Sequence, residues 1–153
     1  MGFSGKICVI SGKIYLHLTY FLTTQFFIMD NLLFEKETYA IIGMCMEVHR
    51  ILGHGFSEIV YKDAIMIEAE IKDIQIQREK EFKIEYTQTI LKHSFFADFV
   101  FYDNIIVEIK AVEGAINDVC ISQTLNYLKA SGCRVGLMIN FGRKSLEHQR
   151  LIF

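Results

Sequence analysis

Three charged residues stand inside two apolar runs that flank a turn-like Asp103-Asn104. The segment is residues 94–112, and the charges on either side of its turn are Asp98, Glu108 and Lys110. We expect a β-hairpin in which Glu108 and Lys110 share one strand face and Asp98 lies beside Glu108 on the neighbouring strand. Two adjacent carboxylates repel each other unless a cation lies between them, and Mg²⁺ prefers such oxygen ligands. The hairpin therefore predicts half of a metal site.

An acid-x-Lys triplet is a weak signal by itself, because the chain contains it three times: Glu70-Ile71-Lys72, Glu81-Phe82-Lys83 and Glu108-Ile109-Lys110. Only the third lies in a strongly apolar run that follows a strand bearing an aspartate. The competing interpretation is a strand with a row of surface ion pairs. The hairpin alone does not decide between the two.

Two helices are predicted before the hairpin. Apolar residues recur at helical spacing over Glu37–Leu52, and the Gly53-His54-Gly55 sequence ends that helix. Ser57 is a suitable N-cap for a second helix that runs to about Lys72. Glu58 lies in the first turn of this helix, with Tyr61 three residues later. A structural role for Glu58, complementing the positive end of the helix dipole, stays open.

The remaining elements follow from apolar patterning. Residues 74–91 alternate as one or two strands do, and 134–141 is long and apolar enough for a buried strand, parallel to a neighbour. Between the hairpin and that strand, Asn117 or Asp118 caps a helix through about Ala130. Gln123 and Tyr127 share one face of this helix. The predicted order is helix, helix, three strands, helix, strand.

The composition indicates one globular domain. The chain has 153 residues, of which 52% are apolar and 22% charged, and a net charge of −2 gives no global positive field for nucleic acid. Its four cysteines lack metal-binding spacing, so we expect reduced thiols in a cytoplasmic protein. Residues 1–28 are apolar, but polar residues interrupt the run and no clear signal cleavage site follows. We expect them to be an N-terminal extension outside a working domain of residues 29–153.

Taken together, these motifs resemble the GxxExxY proteins of the PD-(D/E)XK nuclease superfamily. The naming motif stands as Gly55, Glu58 and Tyr61, and Asp98 with Glu108-Ile109-Lys110 matches the superfamily signature. Gln123 and Tyr127 resemble the Gln-x-x-x-Tyr element of its RecB-like members. Two positions depart from the family pattern: His54 replaces a usual proline, and Phe96 stands near where a basic residue often precedes the aspartate.

The resemblance implies an α/β, restriction-endonuclease-like core with a central four-stranded mixed sheet flanked by helices. It implies that Asp98, Glu108 and Glu58 hold Mg²⁺ or Mn²⁺ and that Lys110 assists hydrolysis of a phosphodiester bond in DNA or RNA. Gln123 and Tyr127 would position the substrate strand, with His49 and Tyr61 as accessory residues. The alternative is a binding module, for nucleic acid or protein, that keeps the fold without catalysis. We expect no stable membrane association, and both a monomer and a homodimer are compatible with the sequence.

Overall fold

A five-stranded mixed sheet organises residues 33–153, which are the residues that this computed structural model describes. Strands lie in sequence order, and all neighbours are antiparallel except the third and fourth, which are parallel. The strands are β1 (Ile76–Tyr86), β2 (Thr89–Phe101), β3 (Ile105–Lys110), β4 (Val135–Asn140) and β5 (Glu147–Ile152). The α/β fold and the parallel β3–β4 pair are therefore confirmed.

The predicted four-strand count is one strand too low, because β5 was not expected. Its residues are mostly half-buried, and it pairs with β4 only, at the edge of the sheet. An edge strand is not enclosed on both faces, so it needs no apolar run and leaves little trace in the sequence. In contrast, β3 and β4 are almost wholly buried, as their apolar runs predict.

Within residues 33–153, three helices flank the sheet, and their predicted limits agree with the structure to within two residues. They are α1 (Glu35–Leu52), α2 (Glu58–Ile71) and α3 (Asp118–Ser131). The capping prediction for α3 is also confirmed, since the Asn117 side chain accepts a hydrogen bond from the Cys120 N–H. Gly132 ends the helix in the left-handed conformation, at φ 73°.

Helix α3 lies close against β4 because residue 136 is a glycine. A Cβ atom added at Gly136 would stand 2.9 Å from the Thr124 side chain and 3.3 Å from that of Leu128. Leu128 belongs to a buried apolar cluster that also contains Ala97, Val100, Ile106 and Tyr127. Gly136 pairs with Ile106 in the sheet, so α3 packs on the face to which Ile106 belongs. By strand alternation, Glu108 and Lys110 belong to that face too.

Asn140, at the end of β4, joins the loops that follow β3 and β4. Its side-chain oxygen accepts hydrogen bonds from the N–H groups of Val112 (3.1 Å) and Gly142 (3.0 Å). Its amide nitrogen donates to the Gly114 carbonyl oxygen at 2.9 Å and to Glu147 at 3.2 Å. The residue is fully buried. This amide therefore fixes the chain immediately after Lys110.

The thiols are reduced, as expected, among the residues that the structure describes. Cys45, Cys120 and Cys133 are free, and Cys45 is fully buried, which raises the pKa of its thiol to about 12. The expected extension, residues 1–28, lies outside the described residues. None of the helices in residues 33–153 combines the length and apolarity of a membrane span.

Replacing Asn140 by alanine should lower the free energy of unfolding by about 3 kcal/mol. The substitution leaves the buried Gly142 N–H without its acceptor, which costs about 1–3 kcal/mol, and it also removes the part-buried hydrogen bonds to the Val112 N–H and the Gly114 carbonyl oxygen. Urea denaturation measures the change. Asn126, exposed on α3, is the matched control, and Asn126→Ala should change stability by no more than about 0.5 kcal/mol. Equal stability of the two variants would contradict the role given to Asn140.

Candidate active site

Asp98 and Glu108 meet on neighbouring strands, as the sequence predicts. The Asp98 N–H donates to Glu108 Oε1 at 3.3 Å, and Asp98 Oδ2 accepts a hydrogen bond from the Ile109 N–H at 2.8 Å. The regular β2–β3 pairing begins one residue later, at Phe99 with Val107. The Asp98 side chain thus accepts a hydrogen bond from the β3 backbone. This bond fixes the position of Asp98 relative to Glu108.

The β1 backbone departs from regular strand geometry close to Asp98. Glu79 lies between Arg78 and Lys80, whose partners on β2 are Phe99 and Ala97, and it has a positive φ of 51°. Such irregularities redirect a side chain without ending the strand.

Lys110 lies beside Glu108, on the strand face predicted for it. Its Nζ atom is 4.0 Å from Glu108 Oε2, and its side chain is only 18% exposed. The other two acid-x-Lys triplets have exposed charged side chains, at Glu70, Lys72, Glu81 and Lys83. The structure therefore selects the third triplet and rejects the surface interpretation for it.

The environment of Glu108 disfavours a second negative charge next to Asp98. Glu108 is 2% exposed. Burial, followed by the charge of Asp98, raises the pKa of Glu108 to about 8, and the Asp98 N–H, Lys110 and Lys62 oppose this rise only in part. Without an additional cation, Glu108 is therefore largely protonated at neutral pH.

Lys62, on α2, is a site residue that the sequence analysis missed. Its ammonium group forms an ion pair with Asp98 Oδ1, and both side chains are largely sheltered from solvent. The signal that would have found it is helical spacing: Lys62 follows Glu58 by four residues and therefore shares its helix face. The site thus contains two acids and two amines.

Glu58 lies in the first turn of α2, one turn before Lys62, and is half-buried. Within residues 33–153, no three His, Cys, Asp or Glu side chains are arranged to hold one metal ion. The structure accordingly brings Asp98 and Glu108 together but does not add Glu58 to form the expected three-carboxylate group. A metal-binding role for Glu58 stays a prediction.

Gln123 and Tyr127, on α3, contact each other as their spacing predicts. Gln123 Nε2 donates to the Tyr127 hydroxyl oxygen at 3.1 Å. Burial, and then the nearby charge of Glu108, raises the pKa of the Tyr127 hydroxyl, with a smaller contribution from Asp98. The pair therefore lies within electrostatic reach of the acids. Its role in positioning a substrate stays a prediction.

Tyr61 supports the turn between α1 and α2. Its hydroxyl donates to the Gly53 carbonyl oxygen at 2.9 Å and accepts from the Phe56 N–H at 3.3 Å. The ring stacks on Phe141 at a centroid distance of 4.4 Å. Gly55, in the same turn, has a φ of 106°, a conformation that favours glycine. In this structure Tyr61 thus orients the start of the helix that carries Glu58 and Lys62.

His49 also contacts the protein framework. Its Nε2 donates to the Arg143 carbonyl oxygen at 2.9 Å, and its ring lies 6.1 Å from that of Phe141. These contacts tie α1 to the loop after β4. Neither contact involves Asp98 or Glu108. The accessory role expected for His49 therefore gains no support from them.

Glu108 should make the metal-free protein less stable as the pH rises. Its pKa is about 8 in the folded protein against an ordinary 4.5, so the folded protein binds more protons than the unfolded chain between these values. The stabilisation from protonated Glu108 is fully present below pH 4.5 and is lost as the pH rises through about 8. Between these two values, the titration of Glu108 lowers the free energy of unfolding by at most about 1.4 kcal/mol per pH unit.

Urea denaturation in EDTA at several pH values checks this slope, with Glu108→Gln as the test variant. Glutamine does not titrate, so the variant should lose the decline attributed to Glu108. Glu85, exposed on β1, gives the control variant Glu85→Gln, which should keep the wild-type slope. Parallel stability curves for wild type and Glu108→Gln would show that Glu108 is already ionised in the folded protein.

Comparison with known proteins agrees with this geometry. The profile of the PD-(D/E)XK nuclease superfamily matches residues 35–151. Among solved structures, the crystal structure of SSO0001 is 16% identical and covers 61% of this chain, with a TM-score of 0.48. This chain spans about half of that protein, 48% of its length. No curated protein matches the sequence. Since the matched profile covers α1 to β5 and contains the Asp98, Glu108 and Lys110 cluster, the chain belongs to the PD-(D/E)XK nuclease superfamily.

Proposed function

We propose that this protein is a metal-dependent nuclease that hydrolyses phosphodiester bonds of DNA or RNA. The observation that supports it most is the sheltered Asp98–Glu108 pair with Lys110 Nζ 4.0 Å from Glu108 Oε2. Gly55, Glu58 and Tyr61 support a finer assignment to the GxxExxY proteins, because Gly55 and Tyr61 together shape the turn that precedes Glu58.

The acids fit a hard divalent cation such as Mg²⁺ or Mn²⁺. Carboxylate oxygens are the ligands that these ions prefer. Burial and the charge of Asp98 raise the pKa of Glu108, and a bound cation would favour its ionised form. Asp98 and Glu108 would hold the ion, with Glu58 as the proposed third ligand from α2. When bound, such an ion lowers the pKa of a coordinated water molecule and shields the charge of the phosphate.

Lys110 supplies positive charge at the edge of the acid pair. Strand β3 and the backbone contact from Asp98 to Ile109 hold it in place, and Asn140 fixes the loop that follows. We assign to Lys110 the orientation of the attacking water or stabilisation of the charge that develops on the phosphate. Gln123 and Tyr127, on the same side of the sheet, would position the scissile strand.

A non-catalytic binding module is the second candidate, and one observation favours it. The Lys62 ammonium already neutralises Asp98, so the metal-free site has an internal cation. A domain that had abandoned catalysis would be stabilised by such an ion pair. The two candidates differ in whether the protein cleaves nucleic acid.

Cleavage of single-stranded and duplex DNA and RNA with Mn²⁺ tests the proposal, with Lys110→Ala as the variant. Activity should fall by at least about 100-fold, as expected on loss of a preorganised charge-stabilising group. Lys83→Ala is the matched control, because Lys83 also follows an acid-x-Lys spacing on a strand but is exposed. It should retain wild-type activity.

Circular dichroism and urea denaturation must show that the Lys110→Ala variant is folded. Folded wild-type protein that binds Mn²⁺ but cleaves none of these substrates would favour the binding module. Activity in folded Lys110→Ala equal to that of Lys83→Ala would remove Lys110 from the mechanism.

A further inference from the structure

The Lys62–Asp98 ion pair differs from ordinary surface pairs of the same helix. Its two side chains are 13% and 14% exposed, whereas Lys72, which pairs with Glu68 one helical turn away, is 41% exposed. Exposed pairs contribute little because water screens both charges. In a sheltered pair, each charge depends on its partner, since either alone would be left in a poorly solvated place.

Lys62 contacts the carboxylate that the proposed metal ion would need. Asp98 Oδ2 is already engaged by the Ile109 N–H, and Lys62 contacts the other oxygen, Oδ1. The same Asp98 carboxylate neighbours Glu108, whose Oε1 accepts from the Asp98 N–H. A divalent ion bound to this pair would compete with the ammonium for Oδ1 and would be repelled by its charge.

We propose that Lys62 is an internal cation that neutralises Asp98 when no metal ion is bound and must withdraw from it when a divalent ion binds. This inference rests on the proposed metal-dependent function. Lys62 then sets the metal affinity of the site, because every binding event includes the loss of its ion pair. Its flexible four-carbon side chain allows the amine to move without a shift of α2.

Calorimetric titration of Mn²⁺ into the full-length protein tests the competition directly. The Lys62→Met variant keeps the length and apolar stem of the side chain but removes the competing charge. It should bind Mn²⁺ about tenfold more tightly than wild type, or better. Lys72→Met, on the same helix, is the matched control and should bind Mn²⁺ as wild type does. Equal or weaker binding by Lys62→Met would overturn the inference.

Stability measurements supply a second readout that does not require activity. In EDTA, Lys62→Met should have a lower urea midpoint than wild type, since Asp98 loses its partner. Saturating Mn²⁺ should raise the midpoint of the variant by more than it raises that of wild type. If Lys62→Met does not fold in EDTA, Lys62→Gln, which keeps a hydrogen-bond donor without the charge, takes its place with the same expectation.

The outcomes separate this inference from the proposed function. If wild type binds Mn²⁺ and the uncharged variants bind it no more tightly, only the role of Lys62 is refuted. If neither wild type nor the uncharged variants bind Mn²⁺, the metal-dependent function and the role of Lys62 are both refuted. Tighter binding by the uncharged variants, with Lys72→Met unchanged, supports both.

Discussion

Two carboxylates that lie side by side and away from water impose the main electrostatic constraint on this fold. Two hydrogen bonds between backbone and side chain hold Asp98 and Glu108 together: the Asp98 N–H donates to the Glu108 carboxylate, and the Ile109 N–H donates to the Asp98 carboxylate. Lys62 and Lys110 supply positive charge from a helix and from β3, yet they do not restore an ordinary pKa to Glu108. Under the proposed function, a divalent cation would favour the ionised form of both carboxylates.

Much of the surrounding structure serves to hold these four side chains in place. The Ile109 N–H holds the Asp98 carboxylate against β3, and the turn stabilised by Tyr61 sets the start of the helix that carries Lys62. Asn140 fixes the chain after Lys110 by joining two loops through one buried amide. The site is therefore assembled from three separate parts of the chain, each fixed by its own hydrogen bonds.

The sequence predicted what depends on local patterns. Apolar periodicity and capping residues located the three helices of residues 33–153. The charges inside apolar runs correctly predicted that Asp98 lies beside Glu108. Strand β5 was missed because an edge strand carries no continuous apolar signal. Lys62 was missed because a lysine on an amphipathic helix is usually solvated, and only the tertiary packing places it against Asp98. Asn140 could have been predicted in the same way as Asp98, because it too is a polar residue in an apolar run.

Under the proposed function, Glu108 is largely protonated at neutral pH and loses this proton when a metal ion binds. Calorimetry of Mn²⁺ binding at pH 7, in buffers that differ in ionisation enthalpy, counts the protons released. Wild type should release close to one proton, and Glu108→Gln almost none if that variant still binds the ion. Wild type that binds the ion without releasing a proton, or that does not bind it at all, would show that Glu108 does not exchange a proton for the metal ion.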